Sequence, residues 1–327
     1  MISNSEAVHF TVAIPTYNGE KTLPLVLEKL RSQITPETLS WEVIIIDNNS
    51  TDRTAETIAS WQANFPVPLH YHLETKQGSA YARQKAVQMA QGEWIGFLDD
   101  DNLPDSCWVS AAYHFGTEHS KAGVIGGQIH GKYEIDPPLN FDRAKGFLVI
   151  RKYAQAAKQF EPEKLRLPPG AGLVVRRQAW IESMPNRFVR AHRGGHDYEI
   201  SLRIYKQGWQ IWYNPEMEIE HLIPAWRMEK AYLNKIARIY GLCTCEIRLI
   251  LARSWQKPIL LIRSFLGGLK HTMLHLIRHR QRAFSDLGLS CETAFFIGSM
   301  LSPFEYIWKQ IDRLRVNLIA RAIDGNS

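Results

Sequence analysis

Short apolar runs alternate with amphipathic stretches along the first hundred residues of the chain. The runs are apolar on both faces, which is typical of strands buried in a parallel sheet. In the stretches between them, apolar residues recur at spacings of three and four, which predicts helices that cover this sheet. The predicted strands are residues 10–14, 41–46, 67–73 and 94–98, and the predicted helices are residues 23–34, 55–61 and 80–89. This order predicts a doubly wound α/β domain.

Shorter elements follow, and the pattern changes after Pro224. We predict a strand at residues 123–127, a helix over 142–160, a loop entering a strand over 168–177, a loop entering a helix over 194–203, and short strands at 209–213 and 217–221. From Pro224 onward the pattern is helical, with breaks expected at Pro258, Gly267-Gly268, Gly288 and Pro303. We therefore expect one domain over residues 1–224 and a helical extension over residues 225–327.

Positive charge is concentrated in the predicted extension. The chain has a net charge of +6, whereas residues 225–327 contain 16 Lys and Arg against 7 Asp and Glu, a surplus of +9, which leaves −3 for the rest. Such an asymmetry indicates a C-terminal face that meets a membrane or a polyanionic partner. The overall composition, 45% hydrophobic and 22% charged, is ordinary for a globular protein.

Residues 258–277 contain many apolar side chains, but Arg263 and Lys270 interrupt them. A charged residue near the bilayer centre costs about 2.5 to 3.5 kcal/mol, against about 0.3 to 0.6 gained per apolar residue. We therefore predict that residues 258–282 lie on an anionic membrane surface rather than span it. Packing of this helix on its own domain is the alternative. The apolar residues that share one helical face are Ile259, Ile262, Leu266, Leu269, Met273 and Leu276, and the cations that follow are Arg278, Arg280 and Arg282.

The cysteines and the N-terminus bear on the compartment. Cys107, Cys243, Cys245 and Cys291 have neither C-x-x-C spacing nor a zinc-type histidine partner, so we expect free thiols in a reducing environment. The first ten residues lack the basic and apolar regions of a secretion signal. We expect a cytoplasmic protein that can bind the inner face of the plasma membrane.

Polar clusters follow three of the predicted strands, at residues 15–20, 47–52 and 99–102. The carboxyl ends of parallel strands meet at one edge of a sheet, so these loops should converge on one crevice. In the last cluster, Asp99, Asp100 and Asp101 crowd together. Two such charges about 4 Å apart repel by roughly 4 kcal/mol at an effective dielectric constant near 20, so they need solvent, protonation or a cation. A solvated turn is the alternative to a cation site.

Two familiar nucleotide motifs are incomplete. Residues 126–132 fit G-x-x-x-x-G-K, but Tyr133 stands where a phosphate loop needs Ser or Thr. The loop after the first strand lacks G-x-G-x-x-G, which disfavours a dinucleotide-binding oxidoreductase. With a single glycine, that loop also disfavours a nucleotidylyltransferase.

Four motifs in this order and spacing resemble the family 2 glycosyltransferases of the A-type fold: IPTYNGE at 14–20, IDNNSTD at 46–52, GSAYAR at 78–83 and FLDDDN at 97–102. The resemblance covers roughly residues 8–224. Two further segments, 168–177 and 212–221, look closest to cyanobacterial hormogonium-polysaccharide members. The resemblance implies an α/β fold of the GT-A nucleotide-diphosphosugar transferase type, a Rossmann-like mixed sheet with helices on both faces, followed by the helical extension.

The resemblance implies a hexosyltransferase-type enzyme that moves a sugar, with inversion, from a nucleotide diphosphate to an acceptor hydroxyl. The nucleotide is expected to be UDP, and the acceptor a polysaccharide or a lipid-linked molecule. No nucleic-acid partner is expected. Asp47 would accept the N–H of uracil, and Arg83 would lie near the base or diphosphate. For Arg83, a helix-surface charge is the alternative. The implied donor-binding residues are Pro15, Thr16, Tyr17, Glu20, Asp47, Arg83, Asp99 and Asp100.

The resemblance also implies a metal site and a general base. Asp99, Asp101 and His221 would hold Mg²⁺ or Mn²⁺, with a packed strand-end histidine as the alternative for His221. Asp197 would be the base, and a helix N-cap is its alternative role. The family commonly has an acidic pair here, whereas this chain has His196-Asp197. A protonated His196 would lower the pKa of Asp197 and weaken the base.

Small residues precede the predicted strand near residue 173. Gly170, Ala171 and Gly172 would form a loop under the donor sugar or acceptor, together with His196. An ordinary turn is the alternative for this loop. The replaced acid also leaves open a different function, a catalytically weak or inactive sugar-nucleotide-binding scaffold of a polysaccharide assembly system.

Overall fold

Residues 10–97 fold as strands and helices in strict alternation, as the hydrophobic pattern predicts. Each predicted element of this part is present, with bounds that differ by at most three residues. The two strands nearest the chain start are apolar and almost wholly buried. The elements are β1 (Phe10–Thr16), α1 (Leu23–Arg31), β2 (Trp41–Asp47), α2 (Thr54–Gln62), β3 (Leu69–Leu73), α3 (Ser79–Met89) and β4 (Trp94–Phe97).

The chain then adds further strands and helices, and the sheet becomes mixed, with both antiparallel and parallel pairs. These elements are β5 (Asn102–Pro104), α4 (Trp108–Glu118), β6 (Ala122–Tyr133), β7 (Lys158–Gln159), β8 (Leu173–Arg176), α5 (Arg177–Ser183), α6 (His196–Lys206) and β9 (Gln210–Ile223). The strand order is β3-β2-β1-β4-β8-β6-β9-β5, and β7 pairs with β9. Because β2, β1 and β4 are parallel, the loops that follow them open at the same edge of the sheet.

Strand β8 pairs antiparallel with β4, with Phe97 opposite Leu173. The loop that precedes β8 therefore lies beside the loop that follows β4. This pairing joins a segment near residue 170 to the acidic residues at 99–101. The apolar core beneath contains Phe10 edge-on to Trp108, with ring centroids 5.9 Å apart.

Two predictions for the middle of the chain are wrong. Residues 142–160 do not form one helix but two short 3₁₀ turns, Phe141–Arg143 and Lys145–Leu148, followed by β7. The left-handed backbone of Val149, with φ at 67°, ends the helical path, and the backbone of Arg151 pairs with that of Ile129. The two short strands predicted at 209–213 and 217–221 form one strand, β9.

The C-terminal part is helical, as predicted. It contains α7 (Lys230–Ile250), α8 (Lys257–His279), α9 (Arg282–Ser285) and α10 (Leu287–Asp324). The expected breaks at Gly267-Gly268 and Pro303 are wrong, because α8 and α10 continue through them. Pro303 cannot donate to the carbonyl of Ser299, and the hydroxyl of Ser302 donates to that oxygen instead, at 2.6 Å. The expected breaks at Pro258 and Gly288 fall at the starts of α8 and α10.

The structure is a computed structural model that describes residues 7–184 and 195–324, with side chains beyond residue 312 described only at Arg315. Gly194, in the predicted loop over 194–203, lies outside the described residues. The chain forms two compact units, one of Met1–Asp136 with Val149–Ala225 and one of Pro137–Leu148 with Trp226–Ser327. The domains at 1–224 and 225–327 remain a prediction. Among the described residues, no helix is both long and apolar enough to cross a bilayer.

Candidate active site

Side chains and backbone groups join the loops at the carboxyl edge of the sheet. The hydroxyl of Thr16, at the end of β1, donates to Oδ2 of Asp100 at 2.5 Å. Asn48, directly after β2, accepts the backbone N–H of Gly78 at 2.7 Å and donates to the carbonyl of Lys76 at 2.7 Å. Three of the predicted motifs and the start of α3 are thus fixed relative to one another, as the parallel strand order requires.

Asp47 is buried at the end of β2. Its Oδ1 accepts the backbone N–H of Ser50 at 2.8 Å, and its Oδ2 accepts the hydroxyl of Tyr71, on β3, at 3.0 Å. Burial and this hydrogen bond to the carboxylate raise the pKa of Tyr71 to about 12. A carboxylate offers about four lone-pair sites, so Asp47 retains capacity for a further donor such as a ring N–H.

The acidic residues behind β4 face three different partners. Asp99 accepts a hydrogen bond from Nη2 of Arg83 at 3.1 Å, and Asp100 accepts the Thr16 hydroxyl. The pKa of Asp100 is raised to about 6, mainly by burial and in part by the charges of Asp101 and Asp99, while the Thr16 hydrogen bond opposes the shift. The predicted repulsion is therefore present, and Arg83 relieves it at Asp99.

Asp101 lies beside His221, with Oδ2 3.3 Å from Nε2 of the imidazole. The pairing of β5 with β9 sets Asn102 opposite His221, and the amide of Asn102 donates to Oδ1 of Asp101 at 2.9 Å. One oxygen and one nitrogen ligand fit Mn²⁺ or Mg²⁺ when diphosphate and water oxygens complete the coordination. Among the residues described, no three His, Cys, Asp or Glu side chains are grouped to hold a metal alone. Asp99 contacts Arg83 rather than this pair.

Arg83 is buried near the start of α3. Its side chain is only 7% exposed, and its guanidinium lies over the ring of Phe97, 5.4 Å from the centroid. Its Nε has no hydrogen-bond partner within the described part of the chain. A buried and incompletely paired guanidinium is a ready receptor for an anionic ligand.

Gly170 contacts both Arg83 and Asp197. A β-carbon at residue 170 would lie 3.0 Å from both Nη atoms of Arg83 and 3.2 Å from Cβ of Asp197. A larger residue at this position would therefore displace one of these side chains. The antiparallel pairing of β8 with β4 brings this glycine to the acidic loop.

Asp197 occupies the first turn of α6 and is partly exposed. The protein around it removes enough solvent that burial raises the pKa of the carboxyl above its ordinary value. The charge of Arg83 and backbone hydrogen bonds from Tyr198 and Gly170 oppose that rise. A carboxyl with these opposed influences suits general-base catalysis, because its pKa can approach the working pH.

The remaining predicted site residues differ in burial and in their contacts. Glu20 is held by Arg53, with Oε1 2.7 Å from Nη2, so its carboxylate caps the neighbouring loop. Pro15 lies in β1, whereas the side chain of Tyr17 is half exposed. His196 is buried at the first position of α6, next to Asp197. Ala171 is buried and Gly172, with φ at 66°, leads into β8.

Three residues at this site were not predicted. Asn48 and Asn102 hold the loops after β2 and β4 through their amides, and Tyr71 binds Asp47. Asn48 and Asn102 stand inside the motifs and could have been predicted, because buried amides in turns commonly satisfy loop backbone groups. Tyr71 had no comparable signal, since aromatic residues are common in strands.

The mixed sheet, with an acidic loop behind β4 and a partly exposed base candidate at a helix start, is the arrangement of an α/β enzyme of the nucleotide-sugar transferase class. The sequence profile of Glycosyl transferase family 2 matches residues 11–182, more than half of the chain. The chain therefore belongs to glycosyl transferase family 2. The predicted family and enzyme class are confirmed.

Curated relatives match over shorter stretches. An uncharacterized glycosyltransferase of Haemophilus influenzae is 33% identical over 99 residues, which cover 30% of this chain and 31% of that protein. The poly(ribitol-phosphate) beta-N-acetylglucosaminyltransferase TarS of Staphylococcus aureus is 32% identical over 111 residues, 34% of this chain and 19% of TarS. The aligned stretches thus span less than a third of either relative.

Solved structures match over most of the chain. The crystal structure of S. aureus TarS 1–349 in complex with UDP-GlcNAc has a TM-score of 0.54 at 15% identity and covers 92% of both chains. GalNAc-T7 with UDP, GalNAc and Mn²⁺ has a TM-score of 0.54 at 15% identity, covering 78% of this chain and 54% of that one. These likenesses show the fold, and they confirm the predicted GT-A architecture with a helical C-terminal region.

Proposed function

We propose that the protein transfers a sugar, with inversion, from a UDP-sugar to an acceptor hydroxyl, with Asp197 as the general base. The observation that carries this proposal is the contact of Asp197 and Arg83 with Gly170, directly beside the acidic loop. It places a carboxyl with a raised pKa next to the residues proposed to bind the donor.

In the proposed reaction, Asp197 accepts the proton of the acceptor hydroxyl as that oxygen attacks the anomeric carbon. The bond from this carbon to the diphosphate oxygen breaks on the opposite face, and the diphosphate leaves with the electron pair. Attack opposite the leaving group inverts the anomeric configuration. Burial supports the base role because it raises the pKa of Asp197, while Arg83 keeps the carboxylate form accessible.

Donor binding is proposed at the carboxyl edge of β1, β2 and β4. Asp47 is oriented by Ser50 and Tyr71 and would accept the N–H of uracil. Arg83 would contact the diphosphate, supported by its burial and its Nε, which lacks a partner within the described residues. Thr16, which binds Asp100, would hold the acidic loop in place for the ribose. The proposal of UDP is supported by the UDP complexes of structural relatives.

A divalent cation, Mn²⁺ or Mg²⁺, is proposed as the cofactor. Asp101 and His221 would hold it, with Asp99 as a further predicted ligand, and the bound ion would stabilise negative charge on the leaving diphosphate. The adjacency of Asp101 and His221 supports this proposal.

The proposed acceptor is a polysaccharide or a lipid-linked glycan, and no nucleic acid is expected. This proposal follows the resemblance of residues 168–177 and 212–221 to hormogonium-polysaccharide members. The proposed location is the cytoplasm and the inner face of the plasma membrane, with residues 258–282 in contact with anionic lipid. The positive surplus of the C-terminal residues supports it.

Replacement of the base separates chemistry from binding. We expect Asp197→Asn to bind UDP with Mn²⁺ like the wild type in calorimetry, and to lose roughly a hundredfold or more of its transfer or donor-hydrolysis rate. Asp142→Asn, at an exposed aspartate, is the matched control and should keep full activity. Persistent turnover in Asp197→Asn would refute the base assignment. A wild type that binds UDP but turns over no UDP-sugar, across a donor and acceptor panel, would favour the binding scaffold.

A further inference from the structure

Helix α8 presents an inverted pattern of side chains. Its buried residues are small or polar, namely Ser264, Gly268, Thr272 and His275. A β-carbon on Gly268 would lie 2.5 Å from Cα of Met300, so α8 approaches α10 closely at this point. A helix that packs on a water-soluble core normally buries its large apolar residues instead. Small residues at helix contacts are typical of proteins whose surroundings are apolar.

The large apolar residues of α8 lie on its outer face. Ile262, Leu266, Met273 and Ile277 recur at helical spacings and share the side opposite Gly268. Each exposes more than half of its surface. Most of the apolar side chains that the sequence places on one face of residues 258–282 are therefore exposed, although Leu269 and Leu276 are only partly exposed.

Helix α10 adds a second exposed apolar stripe. Phe304, Ile307, Trp308 and Ile311 share one face and are between 42% and 63% exposed. The ring of Phe304 contacts that of Phe265, on α8, with centroids 5.5 Å apart. This contact joins the two stripes. We call these two apolar stripes, together with Phe265, the α8–α10 surface. A contiguous apolar surface of this kind marks an interaction site.

The charge of helix α8 and its flanks has one sign. No Asp or Glu occurs between Ile247 and Ser285, whereas six cations lie within 257–282. Arg263 and Lys270 are exposed on α8 itself. Helix α10 is mixed in charge, because Glu305 lies 3.8 Å from Lys309 and Asp312 is exposed. The six cations are Lys257, Arg263, Lys270, Arg278, Arg280 and Arg282.

We propose that the α8–α10 surface binds the interface of an anionic lipid bilayer, with its apolar residues inserted among the acyl chains and its cations at the headgroups. This combination, a large apolar face beside Lys and Arg with an aromatic residue such as Trp308, is typical of interfacial helices. The inference deepens the membrane association suggested for residues 258–282. It rests on the proposed function only for the location at the inner face of the plasma membrane. It adds α10 as a second helix in contact with the bilayer.

A second copy of the chain is the competing occupant, and the charge disfavours it. In a twofold dimer the same surface meets itself, so the cations of one copy would face those of the other. Like charges that are brought together in this way repel, and the α8 segment 247–285 has no acidic residue to compensate, although α10 carries Glu305 and Asp312. An anionic bilayer instead matches both the apolar residues and the charge.

Sedimentation of the full chain with vesicles tests the proposal. We expect binding to vesicles of equimolar phosphatidylglycerol and phosphatidylcholine to exceed binding to phosphatidylcholine alone by about tenfold or more. The variant Ile262→Gln/Leu266→Gln/Ile277→Gln should lower binding to the anionic vesicles about tenfold. The variant Arg263→Gln/Lys270→Gln should lower it about fivefold per cation, and less so at high salt.

Leu25→Gln/Ile34→Gln is the matched control, because these exposed apolar residues lie in or next to α1. It should bind vesicles like the wild type. Circular dichroism and the thermal transition check that each variant is folded. Equal binding to both vesicle types would overturn the proposal, as would variants that bind like the wild type. A dimer seen by light scattering that only the triple variant disrupts, without vesicle binding, would assign the surface to a second copy.

Donor chemistry is measured on the same samples without vesicles. We expect the triple variant to hydrolyse a UDP-sugar at the wild-type rate, because none of its changed residues belongs to the candidate active site. Loss of vesicle binding with retained hydrolysis supports the membrane surface. Absence of hydrolysis in wild type and variant alike would contradict the proposed function, while the vesicle comparison still decides the membrane inference.

Discussion

Arg83 and Asp197 lie on either side of the space that a side chain at Gly170 would fill. A β-carbon there would lie 3.0 Å from both Nη atoms of Arg83 and 3.2 Å from Cβ of Asp197. Arg83 also binds Asp99 at 3.1 Å. One buried guanidinium therefore acts electrostatically on both the proposed base and the acidic loop, so donor binding and proton transfer should respond together to its loss.

Removal of this cation should change the pH dependence of turnover. The charge of Arg83 lowers the pKa of Asp197, against the larger rise caused by burial. In Arg83→Met the pKa of Asp197 should rise further, so the base is deprotonated only at higher pH. We expect the acidic limb of the kcat profile to move to higher pH, and the Kd for UDP with Mn²⁺ to increase.

Lys85→Met, two residues along α3, is the control for this experiment, because it removes a cation of the same helix that is not in the contact with Gly170. Its profile should match that of the wild type. An unshifted acidic limb in Arg83→Met would show that Arg83 does not act on the catalytic carboxyl.

The shifted carboxyl of Asp100 predicts a pH-dependent stability. Its pKa is about 6 in the folded protein, against an ordinary value of 3.8, because it is buried. The folded state therefore holds the proton more tightly, and the contribution of this group to the free energy of unfolding falls as pH rises from about 4 to 6. Asp100→Asn should be more stable than the wild type above pH 6 by about 1 to 3 kcal/mol.

Urea unfolding of chelator-treated protein between pH 4.5 and 7.5 measures this difference. The gap between Asp100→Asn and wild type should grow with pH, since the amide keeps an oxygen for the Thr16 hydroxyl but carries no charge. Asp142→Asn, at an exposed carboxyl, should show no such growth. Parallel curves for Asp100→Asn and wild type would contradict the assignment.

His221→Ala tests the proposed metal pair. Loss of the imidazole beside Asp101 should weaken Mn²⁺ binding in the presence of UDP by about tenfold or more, whereas UDP binding without metal should change little. Calorimetric titration of Mn²⁺ into the UDP complex measures this. His130→Ala, at a half-exposed histidine on β6, is the control. Equal Mn²⁺ affinity in His221→Ala and wild type would remove His221 from the site.

The sequence predicted the parallel half of the sheet well, because each strand is an apolar run bounded by turn residues. Convergence of the three loops followed from strand direction alone, and Thr16 and Asp100 do contact each other. The position of β8 between β4 and β6 carried no comparable signal. Such non-local pairing depends on the whole sheet, so the contact of Gly170 with Arg83 could not be predicted from periodicity.

The wrong predictions all rested on local sequence preferences. Gly268 and Pro303 are helix breakers by intrinsic preference, yet close packing on α10 and the Ser302 hydroxyl offset their effects. Over residues 142–160 the apolar spacing was helical, but Val149 takes a left-handed conformation. Close packing of α8 on α10 and a side-chain hydrogen bond within α10 thus kept the two helices continuous.

The pairing of β4 with β8 makes the active site sensitive to chain length. Phe97 stands opposite Leu173. Phe97 comes two residues before Asp99, and Leu173 comes three residues after Gly170. A single residue inserted into either strand would turn buried side chains to the opposite side of the sheet and move Gly170 by one residue spacing, about 3.3 Å, relative to the acidic loop. The register between β4 and β8 thus sets both the packing of the sheet and the position of Gly170 beside the acidic loop, so an insertion in either strand changes both together.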